Sequence, residues 1–135
     1  MIPLYKDRAL AEAAGEMLKI YAQPQRLMIL SCLLEGERMV GEIDAATGIG
    51  QPALSQQLAG LRRKALVRTR RQGTQIIYAL ADEKVVLCMR CMEAMLGVGE
   101  DTRAALQSAV APAPLRSAAA RPAGTAAFAR ILPVE

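Results

Sequence analysis

The stretch that most constrains this chain is VGEIDAATGIGQPALSQQLAGLRRK, residues 40–64. VGEIDAAT reads as a short helix, and GIG at 48–50 reads as a turn. QPALSQQLAGLRRK then opens with Pro52 near a first helical position, where the missing proline N–H is no loss. Leu54, Leu58 and Leu61 recur at helical spacing on an inward face. Ser55, Gln56, Gln57, Arg62 and Arg63 supply the outward polar groups. Two short helices joined by a glycine-containing turn form a candidate helix-turn-helix.

The flanks restrict the architecture further. Residues 4–22 read as a helix carrying Leu10, Ala13, Ala14, Met17, Leu18 and Tyr21 on one face. Gln23-Pro24 breaks the chain. The next helix, PQRLMILSCLLEGE, is apolar from Leu27 to Leu34 apart from Ser31, which calls for burial on most sides, and Gly36 ends it. After the helix-turn-helix, ALVRTRRQGTQIIYAL holds two β-prone runs around a turn at RQGT, residues 71–74: a short hairpin with basic residues at its tip. Residues 82–99 form a last helix. From 101 to 135 Ala, Pro, Gly and Ser dominate, and this segment reads as a mostly disordered tail with a brief helix near Arg103–Val110. The expected fold is mainly α with a small β-hairpin. It is a winged helix-turn-helix of order α-α-α-α-β-β-α within residues 4–100.

Charge narrows the partner. From Ala45 to Ala81 there is no acidic residue, and the same window holds Arg62, Arg63, Lys64, Arg68, Arg70 and Arg71. The whole chain carries +4, so this +6 block stands in surroundings that sum to −2. Such a block suits double-stranded DNA, with a polar helix reading base edges in the major groove and a basic hairpin on the backbone or in the minor groove. With no histidine, a Ser/His/Asp triad is impossible, and there is no phosphate loop, so an enzyme is not expected. No run is long and apolar enough to span a bilayer, and the N-terminus lacks the pattern of a signal peptide; a cytoplasmic protein with reduced cysteines is the expectation.

Residues 8–97 resemble the ArsR/SmtB family of bacterial repressors, above all in QRLMILSCLLEGE and in VGEIDAATGIGQPALSQQLAGLRRKALVRTRRQGTQIIYAL. GIGQPALSQQLAGLR is most similar to the subgroup that responds to sulfide, persulfides or oxidants through paired thiols. The resemblance implies a homodimer built by the first and last helices, and repression of an operator until an inducer releases the protein. It implies DNA contacts from Gln51, Ser55, Gln56 and Gln57, with Arg62 and Arg63, and from wing residues Arg70, Arg71, Gln72, Thr74 and Gln75.

The family's metal sites can be checked against these residues. The third-helix site, C-V-C-D-[LI], corresponds to MVGEI at 39–43, with Met39 and Gly41 where cysteines belong. The last-helix zinc and nickel sites need histidine. Neither kind is expected here. The thiol subgroup's cysteine pair would fall at Ser31 and near Gly97, whereas this chain has Cys32, one step and about 100° around the helix, and Cys88 with Cys91 in VVLCMRCMEAML. Three readings of the cysteines therefore stand. Cys32, Cys88 and Cys91 respond to reactive sulfur or oxidants; the same three bind arsenite or antimonite; or they only pack, as small apolar residues in a DNA-binding regulator without thiol input. No other cofactor is implied.

Overall fold

A computed structural model of the protein describes residues 1–97 and 101–112. The helices are α1 (Arg8–Tyr21), α2 (Pro24–Leu34), α3 (Val40–Thr47), α4 (Ala53–Arg63), α5 (Glu83–Leu96) and α6 (Thr102–Val110). The strands are β1 (Arg38–Met39), β2 (Val67–Gln72) and β3 (Gln75–Leu80). The three strands form one antiparallel sheet in the order β1-β3-β2. This is the winged helix-turn-helix expected from the residues, with β1 added. Two residues are too few to show a period of two, so β1 left no pattern in the sequence.

The core is built from the stripes that the spacing marks out. Ile29, Leu30 and Leu33 of α2, Ile43 of α3, and Leu54, Leu58 and Leu61 of α4 close on Leu66 before β2, on Val67 and Leu80 of the sheet, and on Val85 and Met89 of α5. Each such side chain contributes roughly 1.5–3 kcal/mol by leaving water. The α3–α4 turn is fixed by its own polar groups. Gly48 takes the left-handed conformation at φ 70° and donates its N–H to the Asp44 carbonyl at 2.7 Å. The Asp44 carboxylate accepts the Gly50 N–H at 2.9 Å. That clamp sets the angle at which α4 leaves α3.

Element ends differ from the expectation where side chains cap the backbone. The first helix begins at Arg8, not residue 4, because Asp7 is extended and accepts the Leu10 N–H at 3.0 Å; a single 3-10 turn, Leu4–Lys6, precedes it. At the other end, Asp101 accepts the N–H groups of Arg103 and Ala104 and starts α6. The brief helix expected near Arg103–Val110 in the tail is thus a nine-residue helix in contact with α5. Its alanine content and cap supply the reason. The remainder of that tail, 113–135, lies outside the described residues.

Backbone strain is stored just after α4. Ala65 has φ 60°, a left-handed conformation that costs a residue with a Cβ about 1 kcal/mol or more. It is held there because Ala65 N–H and Leu66 N–H bond the carbonyls of Arg62 and Leu61, at 3.1 and 3.0 Å, and so finish the helix. Ala65→Gly is expected to raise the unfolding free energy by about 0.5–1 kcal/mol in urea titration. A loss of stability would show that the strain is absent.

Candidate nucleic-acid interface and its thiols

With Leu54, Leu58 and Leu61 buried, the opposite side of α4 must face solvent. At about 100° per residue, Ser55, Gln56, Ala59, Arg62 and Arg63 share an arc of about 120° centred away from that stripe. All five are exposed. Gln51 and Gln57 are used otherwise. The Gln51 side-chain oxygen accepts from the Ser55 N–H at 3.2 Å and from its hydroxyl at 2.6 Å, and so ties the first turn of α4 to the preceding loop. Gln57 lies on the flank toward α2, half-buried. Its oxygen accepts from Arg26 Nε at 3.0 Å and its amide donates to Gln25 at 3.4 Å. The outward direction expected for Gln57 is therefore corrected: a flank position on a helix is polar-tolerant, and a partner on α2 claims it.

The wing divides its residues between two faces. In the β2–β3 register Thr69 opposes Tyr78 and Arg71 opposes Ile76, whereas Arg70 opposes Ile77 and Gln72 opposes Gln75. Opposed residues share a face. Tyr78 lines a groove with Ser55, Ala59, Arg62 and Arg63. Thr69 and Arg71 therefore share the sheet face that carries Tyr78 beside the outward arc of α4. Arg71, Thr74 and Gln75 are exposed at the tip, around Gly73 at φ 64°.

Arg70 projects from the other face. Its Nε donates to both carboxylate oxygens of Glu37, at 3.2 and 3.1 Å, and its Nη1 donates to Gln72 at 2.9 Å. The Glu37 side chain is only 5% exposed, so this ion pair is largely shielded from water. The same pair holds the Arg70 guanidinium above its ordinary pKa. Arg70, expected at a DNA backbone, instead pins the hairpin to the segment between α2 and β1, while Gln72 stays exposed and bonds Arg70 alone. Glu37 lies 33 residues away in sequence, and nothing local marks it as the partner.

The three cysteines are free and half-buried. Cys88 packs against the core that holds Tyr21, at the end of α1. Burial first, then the neighbouring Cys88 and Asp82, push the Tyr21 pKa far up, so the phenol stays neutral. Cys32 instead lines a cleft between α2 and α5, with Met28, Met89, Met92 and Leu96. The rim of that cleft carries a short hydrogen bond from the Ser31 hydroxyl to the Glu93 carboxylate. Among the described residues no three Cys, His, Asp or Glu side chains come together as a metal site. The three-thiol metalloid pocket is thus not assembled within one chain, because Cys32 and Cys88 belong to different surroundings.

Comparison with known proteins supplies the context. The pattern described as "Bacterial regulatory protein, arsR family" matches residues 23–69. A biofilm growth-associated repressor of Agrobacterium fabrum is 40% identical over 100 residues, which are 74% of this chain and 86% of that protein. The crystal structure of the transcriptional repressor BigR from Xylella fastidiosa superposes with a TM-score of 0.66 at 36% identity, over 72% of this chain and 99% of that one. The homodimeric winged helix-turn-helix DNA-binding domain of a Mycobacterium bovis protein does so at 0.58 and 33% identity, over 67% of this chain and 83% of that one.

The two neighbouring wing arginines should differ in what their removal costs. Arg70→Ala strands the Glu37 carboxylate and is expected to lower stability by about 2 kcal/mol in urea. Arg71→Ala, at an exposed position, should stay within about 0.5 kcal/mol. Equal effects would contradict the assignment of Arg70 to the fold.

Proposed function

The chain belongs to the ArsR family of bacterial regulatory proteins, and from that premise we propose that it is a homodimeric repressor that reads an operator with α4 and the wing and is released through its thiols. The observation that carries the DNA-reading part is the shared basic surface of α4 and the sheet. Ser55 and Gln56 face out beside Arg62 and Arg63, and Arg71 lies on the sheet face that borders them. Gln56 has the amide geometry to pair with adenine in the major groove. Arg62, Arg63 and Arg71 supply charge to phosphates. Gln51 supports α4 in this reading, while Gln57 and Arg70 hold the scaffold, and Gln72, Thr74 and Gln75 lie at the wing tip.

The dimer reading rests on α1. This helix buries Tyr21 alone and leaves Leu10, Met17 and Leu18 exposed. A helix of 14 residues is marginal without tertiary cover. Met95 and Leu96 of α5 are exposed as well. A second copy pairing α1 and α5 would cover these side chains and set two α4 helices at a fixed separation.

The thiol input is assigned to Cys88 and Cys91. With hydrogen peroxide, the two thiols give up two protons and two electrons, close one S–S bond and leave two waters. A persulfide hands its outer sulfur to one thiol and departs as a thiol. Cys88 and Cys91 are i, i+3 on α5, so a bond between them requires the helix to deform. A change at Cys88 alters a side chain packed against the core that holds Tyr21 of α1, and so disturbs how α5 is seated. A small shift at a dimer interface is enough to misalign two half-site contacts.

DNA binding by the reduced protein, followed by fluorescence anisotropy against salt, tests the reading. Arg71→Ala is expected to weaken operator and random DNA alike and to reduce the slope of log K on log salt by about 1. Gln56→Ala should lower the operator-to-random ratio by about 1–3 kcal/mol with the slope unchanged. A change of slope for Gln56→Ala, or none for Arg71→Ala, would reverse these roles.

Peroxide or an organic persulfide should release the wild-type protein from its operator and spare Cys88→Ser. Release that persists in Cys88→Ser, with mass spectrometry placing the modification on Cys32, would move the input to the other cleft.

A further inference from the structure

Arg26 lies outside the outward arc of α4 and the wing, yet its side chain joins three helices. It sits in the first turn of α2, where the Gln23 side-chain oxygen accepts its backbone N–H at 3.1 Å. Its half-buried guanidinium reaches in two directions. Nη1 donates to the Ile20 carbonyl at 3.2 Å, in the last turn of α1, and Nε donates to the Gln57 side-chain oxygen of α4 at 3.0 Å. We propose that Arg26 is a positioning residue for DNA reading, which sets α4, and with it Gln56, against the C-terminal end of α1. The inference rests on the repressor reading and adds to it a residue that acts without touching DNA.

The end of α1 calls for such a donor. The last carbonyls of a helix lack intrahelical donors and carry partial negative charge, which favours a cation there. The Lys19 carbonyl accepts the Ala22 N–H at 3.3 Å and the Tyr21 carbonyl accepts the Gln23 N–H at 2.8 Å. The Ile20 carbonyl between them accepts from Arg26. On α4, the Gln57 amide also donates to Gln25, at 3.4 Å, so α2 holds both ends of that side chain. Arginine suits the task because its planar fork carries several donors at set angles.

The leucine stripe of α4 settles which face looks outward, but apolar contact has no direction of its own. A hydrogen bond does, and Gln57 adjoins the base-reading Gln56. A slide or tilt of α4 by about 0.5 Å is enough to misplace a base contact. Attraction between arginines and phosphates falls off slowly with distance and hardly changes over such a shift. The reference point is the end of α1, which buried Tyr21 seats in the core and which only Ala22 and Gln23 separate from α2. The same helix carries the exposed Leu10, Met17 and Leu18 assigned above to the partner copy. Arg26 thus ties the base-reading helix of each copy to the helix that pairs them.

The test measures binding of the full-length reduced protein to two duplexes across a salt series, by fluorescence anisotropy. One is an operator duplex selected from a random-sequence pool by the wild type, and the other is random DNA. Arg26→Ala is expected to lower the operator-to-random affinity ratio about tenfold, the size of a mismatched base pair. Its affinity for random DNA and its salt slope should stay as in the wild type. Arg26→Lys keeps the charge and the stem, and so the fold, but lacks the Nε donor; it should lower the ratio to a smaller extent. Gln57→Ala should lower the ratio too, and the double variant should match Arg26→Ala alone, because the two residues act through one bond. Losses that multiply in the double variant would make Gln57 a separate base contact and overturn the tie. A salt slope reduced by about 1 in Arg26→Ala would make Arg26 a phosphate contact and overturn it as well. Should the wild type select no sequence at all, the repressor reading fails, and this inference with it. A wild type that does select one, beside Arg26→Lys and Gln57→Ala with the full ratio, overturns this inference alone.

Discussion

The burial of Leu54, Leu58 and Leu61 is the constraint on which the rest depends. These three side chains are fully inside, against the core built on Ile29, Leu30 and Ile43. Once that stripe is fixed, α4 has no rotational freedom left, and Ser55, Gln56, Arg62 and Arg63 must emerge together on the far side. The reading surface is thus a geometric consequence of the core. The Asp44 clamp on Gly48 and Gly50 adds the remaining angle, because it decides how α4 departs from α3.

A basic surface must also be presented at a fixed height, and here an ion pair adds to the apolar packing of Val67, Ile77 and Leu80 in anchoring the wing. Arg70 spans from β2 to Glu37, and the sheet then carries Thr69 and Arg71 on the opposite face. One strand therefore uses alternate arginines for different ends. Arg70 stabilises the hairpin, and Arg71 gives charge to solvent. Neighbouring basic residues in a strand look alike in composition and separate only through the pleat.

That contrast marks how far the sequence could be read. The 3.6-residue pattern of leucines in α4, the RQGT turn and the Gly48 break are local signals, and they gave the helix-turn-helix and the hairpin with boundaries near those observed. Three features depend on long-range pairing: Arg70 with Glu37, Gln57 with Arg26, and Cys32 with the methionines of α5. No spacing rule reports a contact between residues 31 or more positions apart, so the roles of Arg70 and Gln57 were legible only in three dimensions. The cysteines show the same limit. CxxC spacing singles out Cys88 and Cys91, whereas Cys32 is the thiol that shares a cleft with Met28, Met89 and Met92.

These elements describe a molecule in which two surfaces left open by one chain, the apolar side of α1 with the end of α5 and the basic arc of α4 with the wing, become useful together. Pairing the first surface across a two-fold axis would place two copies of the second side by side. Hydroxyl-radical footprinting of the reduced protein on the DNA upstream of its own gene tests this most directly. The account predicts two protected half-sites related by inverted symmetry, their centres about one helical turn of DNA or a small multiple apart. A single protected patch, or uniform protection without symmetry, would contradict it.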